Sequence, residues 1–224
     1  MPGRGCMGIK VLLVDDHELV RTGIRRLLED FDDIDVIAEA DSGEMAITLV
    51  REHLPQVVLM DVNMPGIGGL EATRKLVQIA PETKVIVVTI HLDEPFPTRL
   101  LEAGASGYLT KGCAVSEIVD AIRQVSKGKR FIGSDVAQQL ALTMLPGSDK
   151  SPFDALSQRE LQVMLMVTQG QKIQEIADKL CLSPKTVSTY RYRLFEKLDV
   201  KSDVELTHLA MRHGMIDENN NPAA

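Results

Sequence analysis

Five side chains of this 224-residue chain, Asp15, Asp16, Asp61, Thr89 and Lys111, are of the types that handle a phosphoryl group beside a divalent cation. Three carboxylates suit a hard cation, Mg²⁺ above all, which keeps several waters and takes one or two carboxylates together with phosphate oxygens. A carboxylate can also attack phosphorus and form an acyl phosphate. With Mg²⁺, Lys111 and the Thr89 hydroxyl offsetting charge on the phosphoryl oxygens, positioning and electrostatics supply the catalysis. Taken singly these residues are bland: an Asp after a strand is usually a turn residue, Lys111 a solvated lysine and Thr89 a β-former. Only the set argues for a site.

The elements that must position the set are short apolar runs at 9–14, 57–60 and 85–90, each ending in a polar residue and alternating with helical patterns. That alternation is the signature of βαβ units. The runs are apolar throughout rather than at every second residue, so helices cover both faces of a parallel sheet. Fainter strands at 35–38 and 107–109 bring the count to five, with helices near 17–30, 43–52, 69–79, 95–103 and 115–127. Asp15 and Asp16 then follow the first strand, Asp61 the third, Thr89 closes the fourth and Lys111 follows the fifth. Open parallel sheets bind ligands at this carboxyl edge. Asp61 is the nucleophile candidate because its strand is central. Gly66-x-Gly68 in the turn behind it is too short for a dinucleotide fingerprint.

A second region is all-helical. Residues 134–145 read as a short amphipathic helix, and 146–152 (Pro-Gly-Ser-Asp-Lys-Ser-Pro) as a flexible joint. From Phe153 onward apolar residues recur at three-to-four spacing with no strand-like run. The division is 8–130, a linker at 131–152, and 153–217. Composition agrees: 44% hydrophobic and 25% charged residues suit two modest cores. No run of about 18 apolar residues appears, so no membrane span and a cytoplasmic location are expected. Cys6, Cys113 and Cys181 are scattered and odd in number, which suggests neither a disulfide framework nor zinc.

Net charge is −7, which argues against nucleic-acid binding by the chain as a whole, but the charge is uneven. Residues 1–130 carry 15 Lys+Arg against 20 Asp+Glu, whereas 184–201 carry five basic and two acidic residues. Ser183 followed by Pro184 is a strong helix start. A helix over 184–198 places Val187, Leu194 and Leu198 on one stripe with Tyr190 at its edge. Lys185, Ser188, Thr189, Tyr192 and Glu196 point the other way, Arg193 and Lys197 lie on a flank, and Arg191 borders the stripe. Short hydrogen-bonding groups mixed with cations suit the major groove of double-stranded DNA. A preceding helix at about 173–180, joined by Cys181 and Leu182 alone, gives helix-turn-helix spacing.

Residues 8–130 resemble the receiver domain of two-component response regulators, through VLLVDDHELVR at 11–21, VVLMDVNMPGIGG at 57–69, VIVVTIH at 85–91 and GYLTKG at 107–112. Residues 156–213 resemble the C-terminal domain of LuxR/NarL/FixJ regulators, through LSQREL at 156–161, EIADKL at 175–180 and LSPKTV at 182–187. The whole chain is similar to global regulators of the GacA/UvrY/LetA type, which SPKTVSTYRYRLFEKL at 183–198 matches closely. Ser188 and Tyr190 depart from the broader family, which often has Lys and His there. The resemblance implies a flavodoxin-like α/β receiver followed by an all-α helix-turn-helix domain. It implies that Asp61 accepts a phosphoryl group from a phosphohistidine of a sensor histidine kinase or its phosphotransfer domain. Asp16, Asp61 and the Asn63 carbonyl would hold Mg²⁺, with Asp15 acting through water, and Thr89 and Tyr108 would form a switch pair. The last helix, about 203–212 with Val204 and Leu209, would make a homodimer contact, and targets would include genes for small regulatory RNAs. Two rivals make other predictions. An aspartyl-phosphate phosphatase would turn over phosphate esters, although Asn63 stands where the haloacid-dehalogenase motif needs a second acid. A constitutive DNA binder with a vestigial receiver would ignore phosphodonors.

Overall fold

A computed structural model describes residues 8–89, 96–143, 151–213 and 215. Cys6, the end of the fourth strand at Ile90, the start of the helix expected at 95–103, and most of the joint at 146–152 lie outside the described residues. The first 130 residues alternate strand and helix: β1 Ile9–Val14, α1 Glu18–Leu28, β2 Ile34–Ala40, α2 Gly43–His53, β3 Val57–Asp61, α3 Gly68–Ile79, β4 Lys84–Thr89, α4 Phe96–Glu102, β5 Gly107–Thr110 and α5 Val115–Val125. All pairings are parallel and the sheet order is β2-β1-β3-β4-β5-β6. The sixth strand, β6 Phe131–Ile132, is the difference from the five expected. Two residues carry no readable period, and β6 exists because Phe131 N–H and Gly133 N–H donate to the carbonyls of Ser106 and Tyr108. It is followed by α6 Ser134–Thr143, whose Val136 is fully buried. The region expected to be linker thus begins as part of the sheet domain.

Parity explains the continuous apolar runs. Leu12, Val14, Val58, Met60, Val85 and Val87 point to one face, with α2, α3 and α4, while Val11, Leu13, Val57, Leu59, Ile86 and Val88 point to the other, with α1 and α5. A residue buried on either face leaves no polar position in the strand. Two glycines permit the loop after β3. Gly66 has φ +86°, in the left-handed region. At Gly69 a Cβ would collide with the Asp61 carbonyl oxygen, so any side chain there would push α3 off the strand that carries Asp61.

The rest of the described chain is helical, with a 3-10 turn Pro152–Ala155 followed by α7 Gln158–Thr168, α8 Ile173–Leu180, α9 Pro184–Leu198 and α10 Asp203–Arg212. Three of the four α-helices start on a serine cap: Ser157 with Glu160 as a capping box, Ser183 accepting from Thr186 N–H, and Ser202 accepting from Glu205 N–H. Cys181 and Asp199 end α8 and α9 in left-handed conformation. The apolar core on the α2–α4 face continues into this domain through Leu161, Met164 and Met166. Among the described residues no helix is long and apolar enough to cross a membrane.

Candidate phosphoryl-acceptor site and DNA-facing helix

At the carboxyl edge the topology gathers residues scattered over about 100 positions of sequence. Asp61 ends β3 and is buried, at 4% exposure. Its Oδ1 accepts the Val62 N–H at 2.7 Å, and its Oδ2 lies 3.0 Å from Lys111 Nζ. The same ammonium sits 2.6 Å from Asp15 Oδ2. Lys111 is held by its own backbone, which donates to the Thr89 carbonyl at 2.7 Å, and Thr89 pairs with Thr110 across β4 and β5. Thr89 is buried at 2% exposure and Tyr108 at 0%.

Burial pushes the Asp61 carboxyl up to about 6; Lys111 pulls it down and Asp15 pushes it up further. Burial also raises Asp16, with His17 opposing and Asp15 adding to the effect. For Lys111, burial favours the neutral amine, but the Asp61 and Asp15 carboxylates outweigh it and leave the ammonium above its ordinary value. The site therefore holds one cation against two buried carboxylates.

One residue of the cluster was missed in the sequence. His17 joins Asp15, Asp16 and Asp61 in a group whose potential ligand atoms all lie within 4.8 Å of one another. Its Nδ1 is 2.8 Å from Asp16 Oδ1 and 3.2 Å from Asp15 Oδ1. The contact to Asp16 lacks hydrogen-bond alignment, so that buried oxygen has no hydrogen-bond partner among the described residues. Three carboxylates, one with an unsatisfied oxygen, are a donor set suited to a hard divalent cation. The signal for His17 was its place directly after Asp16, on the turn into α1. Asn63 is half-buried, two residues beyond Asp61.

On α9, Val187, Leu194 and Leu198 are buried and Tyr190 is partly so, the stripe expected. Lys185, Ser188, Thr189, Arg193 and Lys197 are exposed, and Tyr192 is 65% exposed. Two cations of this helix serve the fold. Arg191 makes two 2.8 Å bonds to Asp203 of α10 and lies over the Phe195 ring at 4.6 Å. Lys197 Nζ donates to Glu160 Oε2 at 2.6 Å and to the Ala155 carbonyl, which ties the end of α9 to the start of α7. Burial pushes the Glu160 carboxyl up, and Lys197 with the Ser157 bonds outweighs it, so Glu160 lies below its ordinary value. On α10, Val204 is 66% exposed, whereas Leu209 packs against the core.

Comparison with known proteins places both domains. Residues 11–123 match the response regulator receiver domain, and residues 154–210 match the bacterial regulatory proteins of the luxR family. The chain is 60% identical to response regulator GacA of Pseudomonas aeruginosa over 210 residues, covering 93% of this chain and 98% of that protein. It is 57% identical to response regulator UvrY of Escherichia coli over 208 residues, 92% and 95% of the two chains. Among solved structures, a LuxR-family response regulator from Aurantimonas covers 60% of this chain and 96% of its own, with TM-score 0.58 and 41% identity. An RcsB–DNA complex covers 91% and 98%, with TM-score 0.58 and 26% identity. The chain belongs to the two-component response regulators with a receiver domain and a LuxR-type DNA-binding domain, the group that contains GacA and UvrY, and it is a DNA-binding regulator of transcription.

Proposed function

We propose that Asp61 is the residue through which this regulator is switched, taking a phosphoryl group from a phosphohistidine of a sensor kinase or its phosphotransfer domain. The observation that carries the reading is the Lys111 ammonium held between Asp15 and Asp61, 2.6 and 3.0 Å away, at the sheet edge. An Asp61 oxygen attacks phosphorus, the O–P bond forms as the N–P bond breaks, and the departing imidazole keeps the electron pair. With its carboxyl at about 6, Asp61 is mostly ionised at neutral pH and available as the nucleophile. Lys111 then moves its charge from a carboxylate to the new phosphoryl oxygens, and the Thr89 hydroxyl supplies a hydrogen bond there. Asp16, Asp61, the Asn63 carbonyl and, through water, Asp15 would hold Mg²⁺, which when bound offsets charge on the phosphoryl group.

Thr89 and Tyr108 transmit the change, which shifts a pre-existing equilibrium of the receiver. DNA is met by the exposed face of α9: Lys185, Ser188, Thr189 and Tyr192 toward base edges, Arg193 toward phosphate. Lys197 adds positive potential from within its pair with Glu160. Val204 and Leu209 of α10 form the contact of a homodimer on half-sites about one helical turn apart. The regulated genes include those for small regulatory RNAs, by likeness to the GacA group. The receiver promotes its own phosphorylation and dephosphorylation without acting as a turnover enzyme, in the cytoplasm.

The test is mass spectrometry after treatment with acetyl phosphate and Mg²⁺, beside a DNA mobility-shift assay. One phosphoryl group on the wild type, none on Asp61→Ala, and tighter DNA binding by the modified form alone are expected. Modification elsewhere would refute the acceptor assignment. Sustained hydrolysis of small phosphate esters would favour an enzyme.

A further inference from the structure

Between β3 and α3 the receiver loop is held from two sides. On the receiver side, Ile67 N–H donates to Glu44 Oε1 of α2 at 3.1 Å, and the Val62 carbonyl accepts from Met64 and Gly69 N–H. On the other side its holders come from the DNA-binding domain. Gln169 Nε2 donates to the Met64 carbonyl at 3.1 Å, and Gln171 Nε2 donates to the Gly66 carbonyl at 3.0 Å. Both glutamines belong to the turn between α7 and α8, about 105 residues away in sequence.

The two amides are oriented by a chain of bonds. Lys179 Nζ of α8 donates to Gln171 Oε1 at 2.9 Å, which turns the Gln171 nitrogen toward the Gly66 carbonyl. The same nitrogen lies 2.8 Å from Gln169 Oε1, which turns the Gln169 nitrogen toward the Met64 carbonyl. Lys179 is itself fixed, because its carbonyl accepts from Lys75 Nζ of α3 at 3.3 Å. A network led by a charge strengthens each later bond. Both carbonyls it grips lie just after Asn63, which Met64 directly follows.

We infer that Gln169 and Gln171 are positioning residues for the receiver's cation and phosphoryl site, supplied by the DNA-binding domain. This rests on the reading of Asp61, Asp16 and the Asn63 carbonyl as that site. By fixing the Met64 and Gly66 carbonyls, the glutamines remove freedom that cation binding must otherwise remove from the loop, so the docked domain makes Mg²⁺ bind more tightly. Linkage is reciprocal: Mg²⁺ in the receiver tightens the grip of the turn by the same factor.

The experiment is a Mg²⁺ titration of the full chain by backbone NMR shifts, with amide hydrogen exchange of residues 62–69 and 169–171. Gln169→Met with Gln171→Met keeps the volume and removes both donors. Mg²⁺ affinity is expected to fall about fivefold, the worth of one net hydrogen bond, and the 62–69 segment to exchange faster. In the wild type, Mg²⁺ should slow exchange at 169–171, an effect that the double variant loses. Gln171→Glu, which retains the Lys179 pairing but turns an oxygen toward the Gly66 carbonyl, should reproduce the loss if methionine disturbs the turn. Wild-type Mg²⁺ affinity and loop exchange in both variants, with Asp16→Ala still abolishing Mg²⁺ binding, would overturn the inference and leave the site standing. Full Mg²⁺ binding by Asp16→Ala would overturn the site, and the inference with it.

Discussion

Asp61→Asn should make this protein more stable, by an amount that depends on pH. The wild-type carboxyl is buried and raised from its ordinary 3.8 to about 6. At 1.36 kcal/mol per tenfold change in proton affinity, that gap corresponds to about 3 kcal/mol. Between pH 4 and pH 6 the folded chain keeps a proton that the unfolded chain has released. Wild-type stability therefore falls as pH rises through that window and levels off above it. The amide imitates the protonated carboxyl: its oxygen still accepts the Val62 N–H, and Lys111 retains Asp15 as a partner. Urea unfolding of the full chain, followed by far-UV circular dichroism in EDTA, should show Asp61→Asn more stable by about 3 kcal/mol at pH 7.5. The gap should close toward pH 4. Mg²⁺ should also narrow it, because a cation bound by the folded wild type alone stabilises that form. An Asp61→Asn chain no more stable than wild type at pH 7.5, or a gap unchanged at pH 4, would refute the reasoning.

Lys111→Met removes the attraction that holds Asp61 down, so its carboxyl rises above about 6; phosphorylation by acetyl phosphate should slow at pH 7 and its pH profile should move upward. Arg193→Ala should weaken binding to all DNA sequences alike and lower the slope of log K against log salt by about 1, as expected for one lost phosphate contact. Lys197→Ala should instead lower folding stability by about 1–2 kcal/mol, because Glu160 at the start of α7 loses a donor; urea midpoints separate the two cations. Ser183→Ala should cost about 1 kcal/mol through loss of the bond from Thr186 N–H, again read from the urea midpoint.

The sheet and its carboxylate-bearing edge were legible because they rest on local signals. Continuous apolar runs follow from burial on two faces, and each carboxylate stands next to the strand that presents it. The start of α9 was legible for the same reason, since Ser183 and Pro184 write a cap and a first turn side by side. What stayed hidden depends on a distant partner. Strand β6 is two residues long and is defined by the carbonyls of Ser106 and Tyr108 rather than by any period of its own. Lys197 reads as a flank cation on α9 until Glu160, 37 residues earlier, is seen beneath it.

The two glutamines of the α7–α8 turn are the extreme case, and they show what such hidden residues do. Gln169 and Gln171 flank Gly170 in a turn where polar residues are ordinary, so nothing local marks them. Their meaning comes from carbonyls, which every residue has and no sequence pattern displays. A side chain that grips backbone transmits the position of a loop rather than the identity of a residue. Such contacts suit coupling between domains, because they join the DNA-binding domain to the backbone of the receiver loop at Met64 and Gly66, whatever side chains that loop carries. The carboxylate cluster was legible only as a set, whereas the contacts that tie its loop to the DNA-binding domain had to be read from the fold.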